Sequence, residues 1–327
     1  MDIEILLWFQ NIREKLGLPV STTIAVLSDI LCYGAVVFAV VIYWCKNKKL
    51  GISLISIYGI SLFINQLLKA SFTIHRPWIK DTNITPTKYA IKGATGYSFP
   101  SNHVQTSAAI NGTLATQKKR NSLIINSLLI VFMAFTRMFI GVHTPKDVIA
   151  GIITGGLAII LYYYYLRSIN KDSEKEKEYL LLFLLISIIC IIYILLKKYP
   201  ETALNGTIIV DPITMKKDSM RSIGVFFAVF LGIILEKKYV KFSTDVANNI
   251  KWVRLGFGLV LFGISFALSR ILFPLIMPLE FARLSESIVI TLVAVFIFPY
   301  LFNKYENLWL AKLKALKNKE ISIFPSE

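Results

Sequence analysis

Apolar residues recur along the chain in long stretches that are separated by polar loops. Most of these stretches run for roughly 18 residues or more, which is typical of helices that cross a membrane. The predicted spans are residues 22–45, 51–70, 101–117, 122–143, 147–166, 179–197, 221–236, 255–277 and 285–303. The pattern therefore predicts an all-α fold, a polytopic transmembrane helical bundle with about nine spans.

The third stretch, residues 101–117, is polar and rich in small side chains, so hydropathy alone does not identify it as a span. Two basic loops, one before it and one after it in the chain, indicate whether it crosses the membrane. Residues 46–49 and 118–120 carry the excess of Lys and Arg that is typical of cytoplasmic loops. Two crossings must lie between these loops, so residues 101–117 are predicted to span as a helix enclosed by other helices. This topology places residue 1 outside the cell.

The distribution of charge divides the chain into segments, with the boundary between its two halves at the charged stretch 167–178. We predict 1–21 as an interfacial N-terminal helix, 22–166 as the catalytic membrane core, 167–178 as a cytoplasmic linker, 179–303 as C-terminal spans and 304–327 as a basic cytoplasmic tail. Some of the C-terminal spans complete the core or extend it. Near their outer ends lie Arg270, Glu280, Arg283 and Glu286, for which we favour a structural role over headgroup binding.

Composition agrees with a membrane protein, since 55% of the 327 residues are hydrophobic and the mean hydropathy is +0.61. The net charge of +16 would suit nucleic acid, but the basic residues cluster in short loops, where anionic lipid headgroups account for them. Nucleic acid is therefore not a predicted partner. Cys32, Cys45 and Cys190 lie in or beside apolar stretches without the spacing of metal ligands, and they are interpreted as apolar fillers.

The chain has three histidines, His75, His103 and His143, and each lies at or near the end of a predicted span. The predicted topology brings these span ends to one membrane face. The ionisable and polar side chains that meet there are Lys69, Arg76, Ser101, His103, Arg137, His143 and Asp147. Had residues 101–117 not spanned, His143 would lie on the opposite side of the membrane from Arg76.

The residue types at this face suit a phosphoryl group. Lys69, Arg76 and Arg137 supply three cations, and guanidinium groups match phosphoryl oxygens geometrically. Pro100 and Pro145 each resemble the first-turn proline of a following helix, whose N-terminal N–H groups would bind an anion. Two imidazoles beside a bound phosphoryl group suit one nucleophile and one general acid.

Structural interpretations compete with these roles. Thr144, Pro145 and Asp147 form a good helix start, so Asp147 is about as well explained by capping as by orienting a base. The cations alone could be interfacial residues whose charged ends reach the headgroups. His103, at the start of a span, is harder to explain without function, because ionisable groups in spans are usually functional.

Three spaced motifs carry a resemblance to a known family. In chain order they are Lys69-x6-Arg76-Pro77, Pro100-Ser101-Asn102-His103 and Arg137-x5-His143-x3-Asp147. They resemble the three signatures of the type 2 phosphatidic acid phosphatase (lipid phosphate phosphatase) membrane superfamily. Asn102 stands where the family usually has Gly, and Thr136 stands where it usually has Ser. Asn tolerates left-handed backbone and Thr keeps a hydroxyl, so we expect both changes to be tolerated.

The resemblance implies His143 as a nucleophile that forms a phosphohistidine, Asp147 as its orienting partner and His103 as general acid. It implies that phosphoryl oxygens are held by Lys69, Arg76, Ser101, Asn102 and Arg137. It also implies catalysis without a metal or other cofactor. His75 lies outside the motifs and is interpreted as a loop residue that touches substrate.

We therefore expect an integral membrane hydrolase of the bacterial plasma membrane, with its site facing the extracytoplasmic side. Its expected partners are lipids with phosphate or pyrophosphate headgroups, such as phosphatidic acid, phosphatidylglycerol phosphate or polyprenyl diphosphate. A phosphotransferase with a non-water acceptor would carry identical motifs. A lipid transporter or binding protein is a further alternative, although residues 179–327 contain no second copy of the Arg–His–Asp motif. The two-histidine mechanism predicts a bell-shaped dependence of rate on pH.

Overall fold

The computed structural model describes residues 2–117, 120–199, 202–204 and 207–306, which form a bundle of long helices. In chain order the helices are α1 (Asp2–Cys45), α2 (Lys48–Phe72), α3 (Pro77–Lys80), α4 (Lys88–Gly93), α5 (Asn102–Ala115), α6 (Arg120–Phe139), α7 (Pro145–Lys171), α8 (Lys175–Leu196), α9 (Pro212–Tyr239), α10 (Asn248–Ile276) and α11 (Leu279–Leu292). A π-helical turn, Val293–Ile297, continues α11 without a break to Glu306.

The prediction of an all-α polytopic bundle with about nine spans is confirmed. Eight helices in the described part of the chain are long and apolar enough to cross a membrane. The remaining predicted span, the third in chain order, corresponds to α5. This helix has 14 residues and is about 21 Å long at 1.5 Å per residue. Its polar residues Gln105, Thr106 and Ser107 are buried, as expected for a helix enclosed by others.

The structure differs from the predicted boundaries in four places. The helix α1 includes residues 2–21 but bends at Gly17, where φ is +82°. The predicted linker 167–178 is mostly helical: α7 continues to Lys171 and α8 begins at Lys175, so only residues 172–174 connect the two helices. A hairpin that the sequence analysis did not predict pairs β1 (Thr202–Leu204) with β2 (Thr207–Val210). Of the predicted tail, residues 307–327 lie outside the described part of the chain.

Close contact between α5 and α7 depends on two glycines one turn apart. A Cβ at Gly151 would lie 2.9 Å from the Ser101 carbonyl oxygen, and one at Gly155 would lie 2.7 Å from that of Gln105. Small residues at this spacing allow two helix backbones to approach closely inside a membrane. The contact aligns the N-terminus of α5 with the first turn of α7, where the Ser101 N–H donates to the Asp147 carbonyl at 3.0 Å.

Polar side chains hold α2 against α5 at the same level. Asn65 Nδ2 donates to Gln105 Oε1 at 2.8 Å and to the Pro100 carbonyl at 3.2 Å, and Gln105 Nε2 donates to the Ser61 carbonyl at 2.7 Å. In a lipid environment such interhelical hydrogen bonds fix the register of neighbouring helices. They therefore position the loop before α5 at the end of the bundle where α2 finishes and α5 and α7 begin. We call this the upper end.

Buried ion pairs lie at the opposite, lower end. Lys48 contacts Glu236 at 2.6 Å, and Arg254 contacts Glu306 at 2.5 Å. The first pair connects α2 to α9, and Arg254 connects α10 to α1 because it also donates to the Trp44 carbonyl at 3.0 Å. Near the upper end of α10 and α11, Arg270 and Arg283 both contact Glu286, so three of the four residues noted there bind one another.

Candidate active site

The turn between α6 and α7 carries the Arg–His–Asp motif and is shaped by local sequence. Gly141 ends α6 with φ at +81°, a backbone conformation that favours glycine. Thr144 then caps α7 through its side chain, Pro145 occupies the first turn, and the Asp147 carboxylate accepts the Thr144 N–H at 2.7 Å. This capping box fixes His143 immediately before the helix.

A serine hydroxyl connects His143 to Asp147. The two side chains are 3.6 Å apart between Nδ1 and Oδ2, which is too long for a good hydrogen bond. Ser98 Oγ donates to Asp147 Oδ2 at 2.6 Å and lies 3.3 Å from His143 Nδ1. Asp147 thus caps α7, and through Ser98 it also contacts the imidazole that it was predicted to orient.

The other imidazole nitrogen of His143 faces Arg76. Arg76 Nη1 lies 2.9 Å from His143 Nε2, and a guanidinium donates but cannot accept a hydrogen bond. Nε2 is therefore the acceptor, which assigns the proton to Nδ1. Its lone pair points at the same guanidinium that would bind a phosphoryl oxygen. This is the tautomer in which Nε2 can attack phosphorus.

Backbone carbonyls hold the two cations of the first motif. Arg76 donates to the Gly96 and Val142 carbonyls, each at 3.1 Å, and Lys69 Nζ donates to the Tyr97 carbonyl at 2.5 Å. Both side chains are buried, and among the described residues no carboxylate lies within salt-bridge range of either. The loop 95–98 therefore positions two positive charges without neutralising them.

Asp29, which the sequence analysis did not select, binds His103. Asp29 Oδ1 lies 2.8 Å from His103 Nε2 and 3.5 Å from Arg137 Nη1, while Arg137 also donates to Ser28 Oγ at 3.0 Å. Asp29 is the one charged side chain of the predicted span 22–45. Its position inside a span could have identified Asp29 as a candidate site residue from the sequence, because an acid inside a span is usually functional.

Six of the eight predicted site residues line one cavity of about 250 Å³. They are Lys69, Arg76, Asn102, His103, Arg137 and His143. The other two, Ser101 and Asp147, are buried directly behind it. Helix α9 supplies part of the opposite wall through Met215, Asp218 and Arg221, which the motifs do not include. The cavity therefore joins the N-terminal core to the C-terminal helices.

Several buried polar atoms at this cavity have no hydrogen-bond partner among the described residues. They are Gln66 Oε1, Asn102 Oδ1 and Arg137 Nε, and the buried Ser101 Oγ, in the residue before Asn102, likewise has none. Buried polar groups are nearly always satisfied, so groups without a partner at a cavity wall indicate where a polar ligand binds. The N–H groups of the first turn of α5 point to the same region and favour an anion.

Burial, followed by the neighbouring Arg76 guanidinium, lowers the pKa of His143 well below its ordinary value of 6.5, although Asp147 acts in the opposite direction. The imidazole is therefore neutral at neutral pH, as a nucleophile must be. Among the described residues, no group of three or more His, Cys, Asp or Glu side chains could hold a metal ion.

Two details, at Pro100 and His75, differ from the sequence-based expectations. Pro100 does not occupy the first turn of α5, because Ser101 is the N-cap and α5 begins at Asn102. The Thr136 hydroxyl donates within its own helix, to the Met133 carbonyl at 2.8 Å. His75 is not among the residues that line the cavity; its ring packs beside Tyr97 at a centroid distance of 5.6 Å.

The helical membrane bundle therefore brings cations and two imidazoles together around one cavity. The chain belongs to the PAP2 superfamily: residues 50–171 match the model of the PAP2 superfamily. Residues 220–311 match a second model, described as PAP2 superfamily phosphatase, transmembrane extension. The first match contains all eight predicted site residues, whereas Asp29 lies before it and Asp218 lies between the two.

A curated relative is similar to part of the chain. The undecaprenyl-diphosphatase of Sulfolobus acidocaldarius is 28% identical over 119 residues, which is 36% of this chain. The match spans 56% of that relative's length. No solved structure matches the chain.

Proposed function

We propose that this protein is a lipid phosphate phosphatase that works through a phosphohistidine on His143. The observation that carries the proposal is the contact of His143 Nε2 with Arg76 at 2.9 Å, in a buried cationic cavity that also contains His103. The candidate substrates are phosphatidic acid, phosphatidylglycerol phosphate and polyprenyl diphosphate. The name of the relative, undecaprenyl-diphosphatase, favours a lipid diphosphate among them.

In the first step, the phosphoryl oxygens bind Lys69, Arg76 and Arg137, and Arg76 transfers its hydrogen bond from Nε2 to one of those oxygens. The Nε2 lone pair of His143 attacks phosphorus, and the bond from phosphorus to the leaving oxygen breaks. His103 donates its proton to that oxygen, which leaves as an alcohol or, from a diphosphate, as a lipid monophosphate. The cations stabilise charge on the transferring phosphoryl group.

In the second step, water attacks phosphorus and the bond to Nε2 breaks. His103 accepts a proton from that water, which restores its starting state and releases inorganic phosphate. Asp147, through Ser98, stabilises the positive charge that develops on the His143 ring. Asp29 is a positioning residue for His103, because its carboxylate contacts Nε2 and fixes the ring at the cavity wall.

We further propose that the site faces the extracytoplasmic side of a bacterial plasma membrane. The support is the distribution of basic residues: loops 46–49 and 118–120, at the lower end, carry the Lys and Arg excess of cytoplasmic loops. The site lies at the upper end, where α2 finishes.

The test is phosphate release from a panel of lipid mono- and diphosphates in detergent with EDTA, using wild type, His143→Ala and His103→Ala. We expect release that survives the chelator in wild type and is absent in both variants. Wild type quenched with SDS at alkaline pH should contain an acid-labile, alkali-stable phosphoryl group that His143→Ala lacks. Release without that group would contradict the covalent mechanism. Phosphate transfer to an added alcohol in place of release would favour the phosphotransferase, since both enzymes share the first step.

A further inference from the structure

A second cavity lies directly beneath the catalytic one, along the same faces of α1 and α2. It has a volume of about 150 Å³, and its walls come from α1, α2, α10 and α11. Its lining is aliphatic and aromatic, and includes Val37, Ile55, Phe262 and Ala294. The catalytic cavity, by contrast, is lined largely by charged and hydroxyl-bearing side chains.

Helical spacing places the two cavities in one line. On α2 the catalytic cavity is lined by Lys69, Gln66, Leu62 and Tyr58, and the lower cavity by Ile55. Successive members are three or four residues apart, so they share one face of the helix. On α1, Asp29 and Tyr33 at the site are followed on the same face by Val36 and Val40 in the lower cavity.

On both helices one turn, about 5 Å, separates the end of the polar lining from the start of the apolar lining. Tyr33 on α1 and Tyr58 on α2 mark the change, and both line the catalytic cavity. A tyrosine with an apolar ring and a polar end suits such a boundary. The two cavities therefore line one face of α1 and one face of α2, cationic at the top and apolar for two turns of α1 below, and we call this stacked arrangement the cleft.

The C-terminal helices form the outer wall of this cleft. Leu259 on α10 is 48% exposed although it lines the lower cavity, so this wall opens toward the lipid. At the upper level the same wall is formed by Arg221 and Asp218 of α9. The transmembrane extension therefore encloses the cleft from the side that faces away from α5 and α7.

We propose that this lower cleft binds the hydrocarbon chain of a lipid phosphate whose phosphoryl group occupies the catalytic cavity. This rests on the proposed function. A phosphoryl group held between Lys69, Arg76 and His143 is buried, so the chain attached to it must continue through an opening of matching polarity. The cleft is apolar, begins one turn below the site and opens laterally. Its walls come from both the core and the extension.

A larger apolar cavity of about 430 Å³ between α1, α5 and α6 is the rival route. Its α1 lining includes Leu31, Gly34 and Phe38, which lie on the flank of α1 opposite to Asp29 and Tyr33. Cys32, Val104 and Met133 pack in one apolar cluster beside this cavity. The α1 residues of this cavity therefore do not continue the face of α1 that carries Asp29 and Tyr33, whereas those of the α1–α2 cleft do.

The first experiment compares kcat/KM for hexadecyl phosphate and butyl phosphate in detergent. Val37→Trp and Leu259→Trp fill the cleft from its two walls, and both positions are about half exposed. Because overfilling a packed site costs about 1–3 kcal/mol, we expect each to lower the long-chain to short-chain ratio by roughly tenfold or more. Activity on butyl phosphate should stay within about twofold of wild type.

The controls are Ile30→Trp and Val260→Trp, exposed aliphatic positions on the same two helices that do not line the cleft. Val260→Trp should leave the ratio unchanged. Ile30 lines the rival cavity, so a fall in the ratio with Ile30→Trp but not with Val37→Trp would overturn the proposal. An unchanged ratio in every variant would also overturn it.

A second measurement does not require turnover. A hexadecyl phosphate with a diazirine in its chain would be irradiated with His143→Ala protein, and the labelled residues mapped by mass spectrometry. We expect labels on residues 36–40, 259–262 and 290–295, reduced at least severalfold by Val37→Trp. Labels on α5 and α6 would overturn the proposal. Labels in the cleft with no phosphate release by wild type would instead mean that the cleft is right and the phosphatase proposal is wrong.

Discussion

Both ends of the bundle hold cations, but only the lower end neutralises them with carboxylates. At the lower end Lys48 and Arg254 each contact a carboxylate, Glu236 and Glu306. At the upper end Lys69 and Arg76 donate to carbonyl oxygens of the loop 95–98 and residue 142. A carbonyl dipole satisfies the hydrogen-bond donors of a cation without cancelling its charge.

This difference separates a structural ion pair from a binding site. Burying a charge is costly unless an opposite charge or a dense set of hydrogen bonds compensates it. The lower pairs are compensated within the chain and have little further affinity for an anion. The upper cations keep a net charge that an oxyanion can neutralise, which is how preorganised electrostatic stabilisation works.

Replacing an upper cation should give the largest effect on catalysis. We expect Arg76→Gln to lower kcat/KM by about 10³-fold, because the transferring phosphoryl group loses a charged donor. Phosphate release per mole of folded protein measures it. A loss below tenfold would mean that Arg76 serves the loop rather than the phosphoryl group.

Replacing a lower cation should instead affect stability. Arg254 is 2% exposed in its side chain, so Arg254→Gln leaves Glu306 and the Trp44 carbonyl without their partner. Breaking such a pair costs about 3 kcal/mol, which should lower the melting temperature in detergent by roughly 5 °C or more. The kcat of the remaining folded protein should match wild type. A large fall in kcat without a fall in melting temperature would contradict the comparison.

Arg137 lies between these two cases, because its charge is partly neutralised by Asp29, a carboxylate that it shares with His103. A substitution of Asp29 tests what this shared carboxylate does. We expect Asp29→Asn to lower kcat by about 10- to 100-fold, because the ring of His103 loses its orienting carboxylate. Hydrolysis of p-nitrophenyl phosphate should be affected less, since its leaving group needs little protonation. Asp29→Glu should restore part of the activity. Equal losses on both substrates would indicate a purely structural role.

The lowered pKa of His143 determines one limb of the pH profile. The nucleophile is active when neutral, which is its state above its pKa, and burial together with Arg76 places that pKa below 6.5. We therefore expect kcat/KM to stay constant as the pH falls to 6.5 and to decrease only below it. The measurement is a pH–rate profile in the presence of EDTA. An acid limb centred at or above pH 6.5 would argue against His143 as the nucleophile.

The smallest expected effect belongs to Arg221, on the wall that α9 contributes. Arg221→Gln should lower kcat/KM by about threefold to tenfold, because a partly exposed cation adds only modestly to the attraction of an anion. Arg221→Lys should behave like wild type, since it keeps the charge. High salt should reduce the difference between Arg221→Gln and wild type; a difference that is independent of salt would contradict an electrostatic role.

The sequence by itself determined the helical spans and the residues of the three motifs. The spans can be predicted from local hydropathy, and that α5 crosses the membrane can be predicted from the basic loops before and after it. Neither prediction needs tertiary information. The cap that Asp147 forms on α7 was predictable in the same way, since a capping box is a local signal. Even the meeting of Lys69, Arg76 and His143 at one end followed from counting crossings.

Only the tertiary structure decided which side chains touch. Ser98 between His143 and Asp147, Asp29 on His103, and the wall of α9 all depend on the distance and rotation between helices far apart in sequence. Those quantities are set by close contacts such as Gly151 against Ser101, which no hydropathy window reports. A single acid in an apolar span indicates that it has a partner, but only packing between helices determines which one.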